Sequence, residues 1–181
     1  YISLILLSGS KNKYLSKNNL NYKRIGLIHS LLPKSSFIIP IREPLQHAYS
    51  LLSQHLHFSR LQQKNAFIRR YMNYLGHNEF GLDHRSWNDA VYFPKLQDIN
   101  YWLEQWYLFY LDIIERYKNH DKCFFVVYER LTNQTYLESF LGKVNAFQEK
   151  EININFFKNS NRKDIEIQYD RHLYSKATDL Y

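Results

Sequence analysis

Three short apolar runs alternate along the chain with longer segments of helical spacing. The runs are ISLILL at positions 2–7, SFIIPI at 36–41 and CFFVVY at 123–128. Their length and their polar flanks are typical of buried strands. Apolar strands separated by helices favour a parallel sheet covered on both faces. The pattern therefore predicts one α/β domain over residues 1–181, a three-layer α/β/α fold with a central parallel sheet.

Proline positions refine these elements. Pro33 ends the first predicted helix, and Pro44 occupies the first helical position of the next, where its missing N–H costs nothing. Pro40 removes a ladder donor from the second strand, so we expect a bulge or bend there. The helices are predicted at Leu20–Leu32, Pro44 to about Phe58, Leu61–Leu75, Lys95–Tyr117, Glu129–Leu141 and Asp164–Tyr181.

A long irregular stretch, GHNEFGLDHRSWNDAVYFP, covers residues 76–94. Loops of this length are usually active-site lids, binding loops or disordered segments. The aromatic residues Trp87, Tyr92 and Phe93 argue against disorder. The sequence predicts a lid or substrate loop.

Composition narrows the possible partners. The net charge of +7 fits a polyanion, such as nucleic acid, an anionic membrane surface or a phosphorylated cofactor. The long helix is rich in aromatics, among them Trp102 and Trp106, and we expect these to be core residues. Nucleic-acid binders interleave such aromatics with Lys and Arg, whereas this helix carries Asp98, Glu104, Asp112 and Glu115. No nucleic-acid partner is therefore expected.

The start of the sequence and its single cysteine bear on where in the cell the protein is expected. Cys123 has no partner for an internal disulfide, so nothing indicates an oxidising compartment, and we expect a cytoplasmic protein. The run ISLILL is too short to span a bilayer, and no cationic leader precedes it. No membrane segment is predicted. The chain starts directly in a strand-like run, so we expect a fragment that begins inside a fold.

Arg42 ends an apolar strand at the point where a helix begins. Ligands of open parallel sheets bind at the carboxyl ends of strands, and a helix N-terminus favours anions. Ser50 shares a helix face with Glu43 and His47. A guanidinium and a hydroxyl together would clamp a phosphate. The spacing alone fits equally well an arginine paired with Glu43 or another acid, beside a serine that the helix tolerates.

The segment FIIPIREPLQHAYS resembles the 3′-phosphate-binding segment of sulfotransferases that use 3′-phosphoadenosine-5′-phosphosulfate (PAPS). By this resemblance, Arg42 and Ser50 hold the 3′-phosphate of the cofactor. CFFVVYERL is similar to a later strand of that family, which places Tyr128 near the adenine. The resemblance implies the P-loop-like sulfotransferase fold, PAPS as cofactor and 3′,5′-adenosine diphosphate as product.

Lys17 takes the position of the family lysine that approaches the sulfuryl group. The family's 5′-phosphosulfate loop is not recognisable: LLSGSKNK, at positions 6–13, is the candidate, and we interpret it as a turn. The chain thus resembles the C-terminal two-thirds of a sulfotransferase domain, truncated at its N-terminus. We expect that this part alone does not catalyse transfer.

Other residues carry weaker expectations. His77 and Glu79 in the long loop are candidates for the general base, and a lid held by ordinary hydrogen bonds is the alternative. Arg162 and Lys163 resemble an Arg-Lys pair that contacts the 3′-phosphate in cytosolic sulfotransferases, and a solvated turn is the alternative. The histidine spacing matches no zinc site, so no metal is expected.

Two functions follow from these observations. The first is a sulfotransferase that transfers a sulfuryl group from PAPS to a hydroxyl or amine acceptor of undetermined identity. The alternative is a non-catalytic basic module that binds polyanions. An enzyme needs Lys17, Arg42 and Ser50 in one cleft, whereas a binding module would spread its cations in a stripe. A nucleotide-kinase relative is disfavoured because no Gly-rich Lys-Ser/Thr loop occurs.

Overall fold

The structure is a computed structural model that describes residues 2–10, 12–88, 92–144 and 166–181. It contains two compact units, Tyr1–Ser35 and Ser36–Tyr181. Within the described residues the chain is a mixed α/β protein dominated by helices.

The first unit is helical. Helix α1 covers Ile2–Ser8, a 3₁₀ turn covers Asn19–Arg24, and α2 follows directly over Ile25–Leu31. The side chain of Asn18 caps the 3₁₀ turn by accepting the Leu20 N–H at 2.8 Å. The helix predicted in this region is therefore confirmed, with its first turns wound as 3₁₀.

The predicted strand at ISLILL is wrong. These residues form α1, none of them is buried, and Leu4 and Leu7 are 70% and 76% exposed. Six apolar residues with no regular alternation fit a short helix as well as a strand, and a run of this length cannot decide between them. The stretch after α1 does contain the predicted turn: Ser10 has φ 49°, and residues 12–18 form no helix.

The second unit holds both strands. Its elements in chain order are β1 (Phe37–Ile41), α3 (Pro44–Lys64), α4 (Ala66–Tyr74), α5 (Ile99–Tyr117), β2 (Cys123–Val127), a 3₁₀ turn (Tyr128–Arg130), α6 (Gln134–Val144) and α7 (Arg171–Leu180). Each helix predicted after Pro33 has a counterpart among these, and the start of the one predicted at Asp164–Tyr181 lies outside the described residues. The break predicted near residue 60 lies instead at Asn65, whose side chain accepts the Phe67 N–H and starts α4.

Strands β1 and β2 pair in parallel, from Phe37 opposite Cys123 to Ile41 opposite Val127. The predicted parallel pairing is confirmed. The sheet has two strands within the described residues, so the three-layer sandwich with a central sheet is not confirmed. Residues Ile38 and Pro40 are exposed, and the prediction that β1 is buried on both faces is wrong.

Pro40 does not interrupt the sheet. It pairs with Val126 in an unbroken register, so the predicted bulge is absent. Its carbonyl oxygen accepts the Tyr110 hydroxyl at 2.8 Å, which ties α5 to the strand. This bond also gives the hydroxyl of the buried Tyr110 a hydrogen-bond partner.

Helix α5 is the centre of the second unit and packs against α3 and α7. The expectation that its aromatics are core residues is confirmed for Trp102, Trp106 and Tyr110, all at least 96% buried. Helix α6 packs on β2, where Phe140 and Val144 meet Val126. Burial of the apolar side chains on α5, and of those between α6 and β2, holds the strands and helices together.

Buried polar side chains hold the long loop on the helices. Glu104 of α5 accepts the Tyr92 N–H at 2.8 Å and the Phe93 N–H at 2.9 Å. Gln105 accepts the Trp87 N–H, Gln62 accepts the Leu82 N–H, and His55 accepts the Gly81 N–H. These contacts give the described part of the loop a fixed path over α3 and α5.

We expect Glu104→Ala to destabilise the second unit by about 1.5–3 kcal/mol, because it leaves two loop N–H groups without their charged acceptor. Urea unfolding followed by circular dichroism measures the change. Glu115→Ala is the matched control, since Glu115 is exposed on the same helix. Equal midpoints for the two variants would show that Glu104 does not anchor the loop.

Candidate anion site at the carboxyl ends of the strands

Parallel pairing brings Arg42 and Tyr128 to one edge of the sheet. Ile41 and Val127 are register partners, and each of the two residues follows its strand directly. The Arg42 guanidinium carbon lies 5.7 Å from the centroid of the Tyr128 ring, within cation–π range. Two residues predicted to bind one cofactor are therefore neighbours.

Glu43 caps the helix that begins beside them. Its Oε2 accepts the Gln46 N–H at 2.6 Å, and its own N–H donates to Glu129 Oε1 at 3.0 Å. Pro44 occupies the first helical turn, as predicted. The helix N-terminus was expected to offer free N–H groups to an anion, but the Glu43 carboxylate already takes one of them.

Tyr174 of α7 and Tyr181, which directly follows α7, bind the same pair of carboxylates. The Tyr174 hydroxyl donates to Glu43 Oε1 at 2.9 Å, and the Tyr181 hydroxyl donates to Glu129 Oε2 at 2.7 Å. Burial, and then the carboxylate that each phenol contacts, raises the pKa of both tyrosines. All four carboxylate oxygens thus accept a bond from a neutral donor.

Arg42 lies beside these acids without pairing with one. Among the described residues no carboxylate is in ion-pair contact with it. Its Nε is buried and has no hydrogen-bond partner in the described part of the chain. The alternative in which Arg42 pairs with Glu43 or another acid is therefore not what the described residues show. A buried guanidinium nitrogen without a partner is suited to an incoming anion.

His47 lies one helical turn further along α3. Its Nδ1 is also buried without a partner among the described residues. The centroids of the His47 and Tyr110 rings are 6.5 Å apart. Burial, reinforced by the Arg42 charge and partly opposed by Glu129, lowers the pKa of His47 to about 4. The imidazole is neutral at pH 7.

The structure describes only some of the remaining residues that are predicted to bind the phosphate or the sulfuryl group. Ser50 is exposed on α3, on the face that carries Glu43 and His47. Lys17 is an exposed residue of the first unit, and helix α1 replaces the strand that the resemblance expects before it. The predicted pair Arg162 and Lys163 lies outside the described residues.

The candidate base residues lie in the long loop. His77 Nδ1 is 3.5 Å from Glu79 Oε2, and the Glu79 carbonyl oxygen contacts His84 Nδ1 at 2.7 Å. His84 Nε2 in turn contacts the Tyr101 hydroxyl at 2.6 Å. None of the contacts seen in the described segments joins these residues to Arg42. No three metal-ligating side chains cluster in the described part of the chain.

No protein-family model, curated protein or solved structure matches this chain. Among the described helices, none has both the length and the apolar character needed to cross a bilayer. The geometry at the strand ends is therefore the basis for assigning a function.

The carboxylates and tyrosines around Arg42 were not predicted from the sequence. The sequence pattern indicates Glu43 as a possible partner of Arg42, but not as a helix cap that binds Tyr174. The capping pattern, an acid directly before a proline, is the local signal that would have found this role.

The depressed pKa of His47 predicts acid sensitivity. With a folded pKa near 4 and an unfolded value of 6.5, its stabilising contribution is full above pH 6.5 and is lost as pH falls towards 4. His47→Gln should flatten the stability profile over this window by on the order of 2–3 kcal/mol. Urea unfolding at several pH values tests this. His57→Gln, an exposed position on the same helix, is the control. Parallel profiles for the wild type and His47→Gln would contradict the prediction.

Proposed function

We propose that this chain binds the 3′-phosphate of an adenosine nucleotide at Arg42 and works as part of a PAPS-dependent sulfotransferase. The observation that supports this most strongly is the Arg42 guanidinium. It lies at the carboxyl end of β1, packs against Tyr128 and has no ion-pair partner among the described residues. Ligand sites of parallel α/β sheets occur at such strand ends.

The residues at the strand ends fit a phosphorylated nucleoside. Arg42 can bind a phosphate through two parallel N–H donors, and the Ser50 hydroxyl can add a third. Tyr128 is 38% exposed, which leaves ring surface available to an adenine. Glu43 and Glu129 are held by the Tyr174 and Tyr181 hydroxyls and by backbone N–H groups, so they support the turn without neutralising Arg42 by direct contact.

PAPS, when bound, supplies the sulfuryl group for transfer. The acceptor oxygen or nitrogen forms a bond to sulfur as the bond from sulfur to the phosphate oxygen breaks. Lys17 is proposed to stabilise negative charge on the leaving oxygen. His77 or Glu79 is proposed to take the acceptor's proton. Arg162 and Lys163 are proposed as further phosphate contacts.

We also propose that β1 and β2 belong to a larger parallel sheet in a three-layer α/β/α fold. In this arrangement a second layer of helices would cover the face of β1 that Ile38 and Pro40 expose, because parallel strands are usually covered on both faces. A basic module that binds polyanions without chemistry remains the competing function. It differs in predicting no preference for a nucleoside carrying a 3′-phosphate.

Arg42→Ala should weaken binding of 3′,5′-adenosine diphosphate by about tenfold or more, while binding of adenosine 5′-monophosphate changes little. A charge-assisted bidentate contact contributes roughly 1.5–3 kcal/mol, and only the first ligand carries the 3′-phosphate. Isothermal titration calorimetry measures both affinities.

Arg60→Ala is the matched control, because Arg60 bonds the Leu56 carbonyl on the exposed side of the same helix. It should bind both nucleotides as the wild type does. Equal losses for the two nucleotides in Arg42→Ala would exclude the 3′-phosphate role. Wild-type affinity for simple polyanions without nucleotide preference would favour the non-catalytic module.

A further inference from the structure

His47 is a half-buried imidazole that interacts with charges of both signs at the proposed phosphate site. Its backbone N–H bonds the Glu43 carbonyl at 3.0 Å, within the first turn of α3. Its Nδ1 is buried and has no partner among the described residues, as is true of Arg42 Nε. Two unsatisfied nitrogens thus belong to neighbouring side chains at one end of the sheet.

We propose that His47 takes up a proton when a phosphate binds at Arg42, so that the site binds its anion together with a proton. This inference rests on the proposed function, because it concerns the regulation of the same site by pH.

The charges at the site require compensation when an anion arrives. Arg42 contributes one positive charge, and Glu43 and Glu129 contribute one negative charge each, so these three side chains sum to one negative charge while His47 is neutral. A phosphate adds about 1.5–2 further negative charges at pH 7. The buried Nδ1 of His47 has an open lone pair or N–H and no competing bond in the described structure. A proton on this ring would offset the added charge.

The charges that act on the pKa of His47 also favour proton uptake when a phosphate binds. The Arg42 charge is the second cause of its lowered pKa, after burial, and Glu129 opposes it. A phosphate on Arg42 would cancel the Arg42 effect and add a negative charge of its own. A nearby opposite charge typically raises the pKa of such a group by about 1–3 units.

Charged and titratable groups near His47 come from three parts of the chain. Arg42 and Glu43 belong to the β1–α3 turn, Glu129 follows β2, and Tyr110 lies on α5. Burial raises the pKa of Tyr110, so this phenol stays neutral in mild acid. The oxygens of the two carboxylates each already accept a hydrogen bond, whereas the Nδ1 of His47 has no partner among the described residues. His47 is thus the group placed to gain the proton.

Calorimetry with 3′,5′-adenosine diphosphate tests the coupling. Titrations at pH 5.5 in two buffers of different ionisation enthalpy give the net number of protons taken up on binding. The ligand's own protonation is common to all variants, so the difference between proteins isolates His47. A rise of 1–3 units from a value near 4 predicts that His47→Gln takes up roughly 0.2–1 fewer protons than the wild type. His57→Gln, the exposed control, should match the wild type.

The outcomes separate the two proposals. Equal proton uptake by the wild type and His47→Gln, with both binding the nucleotide, would overturn the coupling and leave the nucleotide site standing. Absence of binding by the wild type at millimolar nucleotide would overturn the site and the coupling together.

A measurement on the wild-type protein covers the case in which His47→Gln does not fold. Nuclear magnetic resonance of the histidine rings follows the His47 titration with and without the nucleotide. A ring pKa that rises on nucleotide binding supports the coupling. An unchanged value in the saturated complex overturns it.

Discussion

The hydrogen bonds to the Glu129 carboxylate are the interaction on which the arrangement around Arg42 and Tyr128 depends. It accepts the Glu43 N–H at 3.0 Å and the Tyr181 hydroxyl at 2.7 Å. One side chain thereby joins the turn after β1, the segment after β2 and Tyr181, which follows α7. Hydrogen bonds to an ionised acceptor are about twice as strong as those between neutral groups. The bonds to Glu129 connect parts of the chain that are distant in sequence. Arg42 and Tyr128 keep their relative positions because the backbone on both sides of them is fixed in this way.

The same network explains how a cation can stay available beside two acids. A half-buried arginine next to free carboxylates would normally pair with them, and its N–H donors would then be occupied. Here each carboxylate oxygen already accepts a bond from a hydroxyl or a backbone N–H. The acids lower the overall potential of the site but do not occupy the guanidinium, and His47 provides a group that can offset their charge.

Sequence patterns predicted the parts of this site that follow from local rules. Two apolar runs gave β1 and β2, and the residue after each strand had to lie at the same sheet edge once the strands paired in parallel. The resemblance assigned Arg42 and Tyr128 to one cofactor, and the parallel pairing explains why they are neighbours. The run ISLILL failed because a short apolar stretch fits either a helix or a strand. The bond from Tyr174 to Glu43 spans 131 positions, and the polar anchors of the long loop depend on burial, so neither had a local signal.

A crystal structure of the protein with 3′,5′-adenosine diphosphate tests the central claim most directly. The account predicts the 3′-phosphate on the Arg42 guanidinium, with Tyr174 and Tyr181 still bound to Glu43 and Glu129. A structure in which Arg42 pairs with one of these carboxylates, and the nucleotide binds elsewhere or not at all, would contradict it.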